Sequence, residues 1–212
     1  MGLFNINGGF AKFVNRALDL LLLNFLWFVF SLGIITVGAS TCAAYSVSIK
    51  LVDDEEGYIA KQFVKAFKDN FKQGTFMWLI TLPWLVVVGL SWWVVTWAED
   101  YYFFIMTGAI LLTALFLAFN LYAYPLIARY DNKFHLMLKN SLGITLIYFA
   151  RTLLIIVILA VEVLVISWNK WTIFAGLLIG PEAMIYTVSG MSKRIFQQIE
   201  RHEEQNSGTI NQ

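Results

Sequence analysis

Three ionisable residues lie inside long apolar stretches of the chain: Arg151, Glu162 and Glu182. Charged side chains in hydrocarbon are costly, so such residues by default indicate an ion or substrate pathway. Arg151 and Glu162 are 11 residues apart, close to three full helical turns, so they share a face. They cannot pair directly, because they are about 16 Å apart along the helix axis. Arg151 and Glu182 lie at similar depths when counted from the inner ends of their spans. We predict that these two face each other, as a structural ion pair or as a binding site, while Glu162 lies near the outer surface and reaches water.

The last apolar stretch contains a sequence that is typical of a broken helix. Proline removes a backbone donor and bends a helix, so Gly180 and Pro181 predict a helix break directly before Glu182. Broken helices near the bilayer midplane occur in transporters, and also in membrane proteins of other kinds. Asn24 and Asn120 are polar residues within spans, and for these we predict hydrogen bonds between helices.

Residues for other chemistry are missing from the sequence. No Gly-rich phosphate loop, His-Glu-x-x-His motif or nucleophile elbow is present, so the sequence predicts no enzyme and no cofactor. The two histidines, His135 and His202, are far apart, and Cys42 is the single cysteine, which leaves too few ligands for a zinc site. A net charge of +1 argues against nucleic acid as a partner.

The composition indicates that lipid surrounds the chain. Hydrophobic residues make up 59% of its 212 residues and charged residues only 14%, whereas a soluble domain carries about a quarter charged residues. A spanning helix needs about 20 mostly apolar residues. The sequence therefore predicts an all-α, polytopic transmembrane helical bundle in the lipid bilayer, with spans at residues 74–97, 101–128, 141–168 and 171–192.

The first apolar region, residues 20–49, carries no charge. It could form one long helix, or two helices joined by a turn near residues 33–38. Lysines and arginines concentrate in the connections 50–72 and 129–139 and after residue 192, whereas the opposite connections carry only Glu99, Asp100 and Lys170. Because cytoplasmic loops are enriched in Lys and Arg, we predict that the three basic regions face the cytoplasm from the cell membrane.

A hairpin in the first region would place Lys12 and Arg16 on that same basic side. This favours a single domain, 1–212, with six crossings arranged as three hairpins at about residues 10–52, 74–128 and 141–192. A short second helix around residues 39–51 belongs to the first hairpin, and a cytoplasmic tail, residues 193–212, follows the third. Five crossings are the alternative.

A basic amphipathic helix is predicted at about residues 58–73, between the first two hairpins. Phe63, Phe67 and Phe71 recur every four residues and therefore share one face. Such a helix can lie in the headgroup plane or dock in the groove of a partner protein. The neighbouring faces carry Lys61, Lys65, Lys68 and Lys72.

Several segments together resemble a known family: Leu23-Asn-Phe-Leu-Trp27, Thr36-Val-Gly-Ala39, Ala43-Ala-Tyr45 and Phe67-Lys-Asp-Asn70-Phe-Lys-Gln73. They resemble the YesL-like family of bacterial membrane proteins, a domain of unknown function, over nearly the whole chain. The family usually has Gly-Pro-Ala where this chain has Gly38-Ala39-Ser40. The resemblance implies a Gram-positive bacterium and a genetic context of carbohydrate ABC-transporter components and polysaccharide-degrading enzymes.

Two functional hypotheses follow from these patterns. The first is an accessory, non-catalytic membrane protein that binds carbohydrate ABC-transporter subunits through the helix at residues 58–73. The second is a small transporter or channel with a polar midplane site at Arg151 and Glu182. A membrane enzyme ranks third, because the residues for catalysis are missing.

Overall fold

The computed structural model describes residues 9–55, 57–98 and 101–210, and every regular element in these ranges is an α-helix. The predicted all-α class is therefore confirmed. The predicted outer connection at Glu99 and Asp100 lies outside the described residues, as do residues 211–212 of the predicted tail. The helices are α1 Gly9–Ser31, α2 Val37–Val52, α3 Ile59–Asp69, α4 Phe71–Val95, α5 Tyr102–Arg129, α6 Phe134–Ile147, α7 Phe149–Ile166 and α8 Lys170–Ile210.

Within the described ranges, five helices are long and apolar enough to cross a membrane. Their outer surfaces are apolar, as at Phe104 on α5 and Leu164 on α7, which are 76% and 66% exposed. Apolar faces of this extent are rare on soluble monomers and indicate contact with lipid. Apolar side chains on the outer surface fit the predicted polytopic transmembrane bundle. The five spans are Ala11–Ser31, Phe71–Val95, Tyr102–Arg129, Phe149–Ile166 and Lys170–Arg201.

The first apolar region forms two helices rather than one. A turn at residues 32–36 separates α1 from α2, and Ile34 within it has a positive φ of 44°. The 16 residues of α2 extend over about 24 Å, which is shorter than the roughly 30 Å hydrocarbon core of a bilayer. The predicted turn and the predicted short second helix are both confirmed.

Both ends of the α1–α2 hairpin lie on one side of the molecule. Arg16, near the start of α1, forms an ion pair with Asp54, which directly follows α2. Asp53 forms a second ion pair with Lys193 of α8. The chain therefore returns after α2 to the side from which α1 began.

The α2 helix is enclosed by its neighbours. It packs against α1, α3, α4, α5 and α8, and its residues from Gly38 to Leu51 are nearly all buried. At its first turn α2 crosses α4, where Gly38 lies against the backbone of Gly74. Small residues at such a crossing let two helix backbones approach closely.

The amphipathic helix is shorter than predicted, and its phenylalanine face points inward. It ends at Asp69, and α4 begins at Phe71. The ring of Phe63 is fully buried 5.3 Å from the ring of Phe30 on α1, and Phe67 lies 4.9 Å from that same ring. The hypothesis that this face binds lipid or a partner is therefore wrong for Phe63, whereas Phe67 is half-buried and Phe71 is 41% exposed. The four predicted lysines are exposed: Lys61, Lys65, Lys68 and Lys72.

The third hairpin differs from its prediction. Its first span, predicted at residues 141–168, is divided at Tyr148 into α6, which packs on α5, and α7, which packs on α8. The Thr152 hydroxyl donates to the carbonyl oxygens of Tyr148 at 3.1 Å and of Thr145 at 3.4 Å. Side-chain hydrogen bonds of this kind offer backbone carbonyls an alternative to the regular hydrogen bonds of a helix.

The predicted cytoplasmic tail is a continuation of the last span. Helix α8 runs without interruption to Ile210, and Phe196 is buried within the core. Glu200 anchors this segment, since it accepts hydrogen bonds from Arg129 at 3.2 Å and from the Tyr130 hydroxyl at 2.6 Å. Burial and the Glu200 carboxylate raise the pKa of Tyr130, which keeps its hydroxyl protonated as the donor.

Candidate functional site

Glu182 is a fully buried carboxyl group at the interface of α8 with α2. Its side chain is 0% exposed, and the hydroxyl of Ser48 on α2 donates a hydrogen bond to Oε1. The other oxygen, Oε2, has no hydrogen-bond partner among the described residues. An ionised carboxylate in such a place is costly, so a proton or a bound cation must neutralise it.

The predicted pair of Arg151 and Glu182 does not form. The Arg151 guanidinium donates to Gln198 Oε1 at 2.6 Å and lies 5.5 Å from the centre of the Tyr148 ring. Gln198 follows Glu182 on the same helix by 16 residues, which is about 24 Å. The prediction failed because it counted depth from the predicted span ends, whereas α7 begins at Phe149 and α8 continues past residue 192.

Glu162 contacts a neighbouring helix as well. Its Oε1 accepts a hydrogen bond from the Thr187 hydroxyl of α8 at 2.7 Å. Its Oε2 is buried and has no hydrogen-bond partner among the described residues. The residue as a whole is only half-buried, so its access to water stays a prediction. The two glutamates contact different helices and form separate sites.

A row of two polar residues, Ser189 and Lys193, continues from Glu182 along the same face of α8. Ser189 and Lys193 follow Glu182 by seven and eleven residues and therefore share its face. Ser189 is fully buried, and its hydroxyl has no partner in the described part of the chain. The row ends about 16 Å from Glu182, where Lys193 pairs with Asp53.

Sequence reasoning missed this row. The spacing of Ser189 and Lys193 could have been found from helical periodicity. The contribution of Ser48 could not, because nothing in the sequence indicates which face of α2 packs on α8.

A charged cavity of about 880 Å³ opens on the side where the α1–α2 hairpin begins and ends. Its walls carry Lys12, Arg16, Asp19 and Asp54, and the ring of Tyr186 lies 5.9 Å from the Arg16 guanidinium. Tyr186 is one helical turn from Glu182 on α8. The cavity therefore approaches the buried carboxyl group from the charged side of the molecule.

The predicted break at Gly180 and Pro181 is absent, because α8 continues through both residues. Proline lacks the N–H that would bond the carbonyl of Leu177 four residues earlier. The Asn24 side chain of α1 replaces that donor, with Nδ2 at 3.2 Å from the Leu177 oxygen and 2.8 Å from the Leu178 oxygen. The predicted interhelical role of Asn24 is confirmed.

Asn120 likewise joins two helices. Its Oδ1 accepts a hydrogen bond at 2.9 Å from the Thr81 hydroxyl of α4, while its Nδ2 donates to the carbonyl of Phe116 on its own helix, α5. The prediction of an interhelical bond is confirmed here as well.

The bond from Asn24 to α8 leads to a prediction for a double mutant. Replacing Asn24 by leucine should destabilise the protein by about 1 kcal/mol, because it leaves the Leu177 carbonyl in the bundle without a donor. Pro181→Ala restores the backbone N–H, so the same Asn24→Leu change should cost clearly less in that background. Thermal unfolding of the four proteins in detergent measures the coupling, and strictly additive effects would contradict this account.

The part of the chain that contains the α1–α2 hairpin matches a family model. Residues 20–92 match the family model described as "Protein of unknown function, DUF624". The resemblance to the YesL-like family is consistent with this match. The matched segment contains most of α1, all of α2 and α3, and α4 as far as Trp92. Ser48 therefore lies inside the DUF624 match and Glu182 outside it.

No curated protein matches the chain. No solved structure matches it either.

Proposed function

We propose that the protein is a small, non-enzymatic transporter of the cell membrane in which Glu182 binds a proton during each transport cycle. The observation that carries this proposal is the buried carboxyl group, which among the described residues has one oxygen without a hydrogen-bond partner and forms no ion pair. Intramembrane carboxyl groups of this kind serve as proton relays in pumps and transporters. A proton is the simplest occupant because the single carboxylate and the Ser48 hydroxyl supply few ligands for a metal ion.

The surroundings of Glu182 support an exchange of protons with one side of the membrane. The polar row at Ser189 and Lys193 extends from the carboxyl group towards the ion pair of Lys193 with Asp53, and the cavity at Tyr186 ends one helical turn away. Opening the α2–α8 interface would bring water to Glu182, while closing it would isolate the carboxyl group again.

The proposed orientation places this charged side in the cytoplasm. Lys193, Arg194 and Arg201 of α8 lie at that end, together with Arg16 of α1. Positive residues are retained on the cytoplasmic side during insertion. Six crossings with both termini inside are proposed, since the α1–α2 hairpin begins and ends on the same side.

Proton flux into liposomes tests the role of Glu182. The purified protein is reconstituted with a pH-sensitive dye inside the vesicles, and a potassium diffusion potential drives proton entry. We expect Glu182→Gln to reduce flux to the rate of protein-free vesicles, because the amide cannot bind and release a proton. Glu162→Gln is the matched control and should retain wild-type flux.

Size-exclusion chromatography checks that both variants assemble as the wild type does. Wild-type flux in a correctly assembled Glu182→Gln protein would reject the proposed transport role.

A second candidate is an accessory protein of a carbohydrate uptake complex. The exposed lysine row of α3, beside Tyr58 at 85% exposure, favours this function because it offers a free basic surface to an acidic partner. Tagged purification from native membranes should then recover a sugar-transporter subunit in stoichiometric amounts. Recovery should be lost when Lys61, Lys65 and Lys68 are replaced by glutamate, and it should be unchanged in Glu182→Gln.

A further inference from the structure

A second charged pocket lies at the far end of the α7–α8 contact, away from Glu182. It has a volume of about 400 Å³ and is lined by three arginines, Arg151 of α7 and Arg194 and Arg201 of α8. Arg151 also holds the two helices together here through its hydrogen bond with Gln198. The proposed transport role does not use this pocket.

No carboxylate among the described residues neutralises the positive charge of this pocket. None of its lining residues is a carboxylate, and among the described residues none of the three arginines forms an ion pair. Arginine stays charged at every physiological pH, and its planar donors fit phosphate oxygens in pairs. The pocket is therefore built for an anion with several oxygen acceptors.

The position of the pocket indicates the source of that anion. The α7 span begins at Phe149 and the α8 span ends at Arg201, so the arginines cluster where two antiparallel spans reach the headgroup level. Leu154 and Met191 form apolar walls of the pocket, and Leu154 is 51% exposed on the outer surface. A free phosphate ion would gain nothing from these apolar walls, whereas the acyl chain of a lipid would lie against them.

We infer that this pocket binds the phosphate of an anionic phospholipid, with an acyl chain on the α7 surface at Leu154. Basic pockets between membrane helices on the cytoplasmic side bind such headgroups. The lipid would join α7 to the end of α8 beyond the contact that Arg151 already makes.

Native mass spectrometry of the purified protein with added phosphatidylglycerol or phosphatidylcholine tests the inference. The variant is the double change Arg194→Gln and Arg201→Gln, which keeps the Arg151–Gln198 bond. We expect wild type to retain phosphatidylglycerol in preference to phosphatidylcholine, and the variant to bind phosphatidylglycerol about 30-fold more weakly. The matched control removes two charges from an exposed face, by Lys61→Gln and Lys65→Gln, and should bind as wild type.

Three outcomes decide whether this pocket binds an anionic phospholipid. Equal weakening in the arginine and lysine variants would mean that net charge alone attracts lipid, and would overturn the assigned site. Inorganic phosphate that raises the unfolding temperature as much as phosphatidylglycerol does would assign the pocket to a soluble phosphate and overturn the lipid. Retained binding in Arg194→Lys with Arg201→Lys would support the site, since that protein keeps the charges.

Discussion

Replacing Gly38 by alanine should destabilise the protein by about 3 kcal/mol, the upper end of the usual cost of overpacking. A Cβ at this position would meet the carbonyl oxygen of Gly74 and lie 2.7 Å from Cβ of Trp78. A Cβ added at Gly74 would likewise lie 2.8 Å from Cα of Ala39. These neighbours are backbone or Cβ atoms, so no change of side-chain rotamer relieves the overlap, and α2 would have to move away from α4.

Thermal unfolding in detergent, followed by the tryptophan fluorescence, measures this effect. Gly89→Ala is the matched control on α4, since a Cβ there has no neighbouring atom within 4 Å. The control should be neutral or stabilising by up to about 1 kcal/mol, because alanine favours helix over glycine. If Gly38→Ala unfolds at the wild-type temperature, α2 and α4 do not cross this closely.

Replacing Phe63 by alanine should cost about 3–5 kcal/mol, as for other fully buried phenylalanines. Its ring is 0% exposed and packs edge-on against Phe30, so its loss leaves a cavity between α3 and α1. Phe71 belongs to the same sequence stripe but is 41% exposed, and its replacement by alanine should cost much less.

The same unfolding measurement compares the two variants. It separates packing from partner binding, because a stripe that served only as a docking surface would leave the stability of the isolated protein unchanged. Equal losses at Phe63 and Phe71 would contradict the inward orientation of α3.

Helices were predictable from the sequence wherever a long stretch contains no charged residue. The uncharged stretches 74–97 and 101–128 became α4 and α5, because hydrocarbon accepts only backbone that satisfies its own hydrogen bonds. The turn between α1 and α2 was predictable from the basic residues at both ends of the first hairpin. The division at Tyr148 was not, because no proline or glycine stands at that point of the sequence to mark the end of a helix.

Helix faces were much harder to predict. The spans α4 and α5 are apolar on all sides, so periodicity does not distinguish their lipid face from their protein face. The error at Arg151 had a related cause. An apolar stretch indicates that a helix crosses the membrane. The register of that helix against a neighbouring helix depends on where both helices begin and end.

The sequence by itself determined that this is an all-helical chain with long apolar spans and an amphipathic α3, and it favoured a short second helix. These properties follow from composition and from local periodicity, which need no knowledge of neighbours. The tertiary structure decided that Phe63 packs inward, that Asn24 supplies the donor Pro181 lacks, and that Glu182 meets Ser48. These contacts join residues far apart in the chain, and only the packing of helices brings them together.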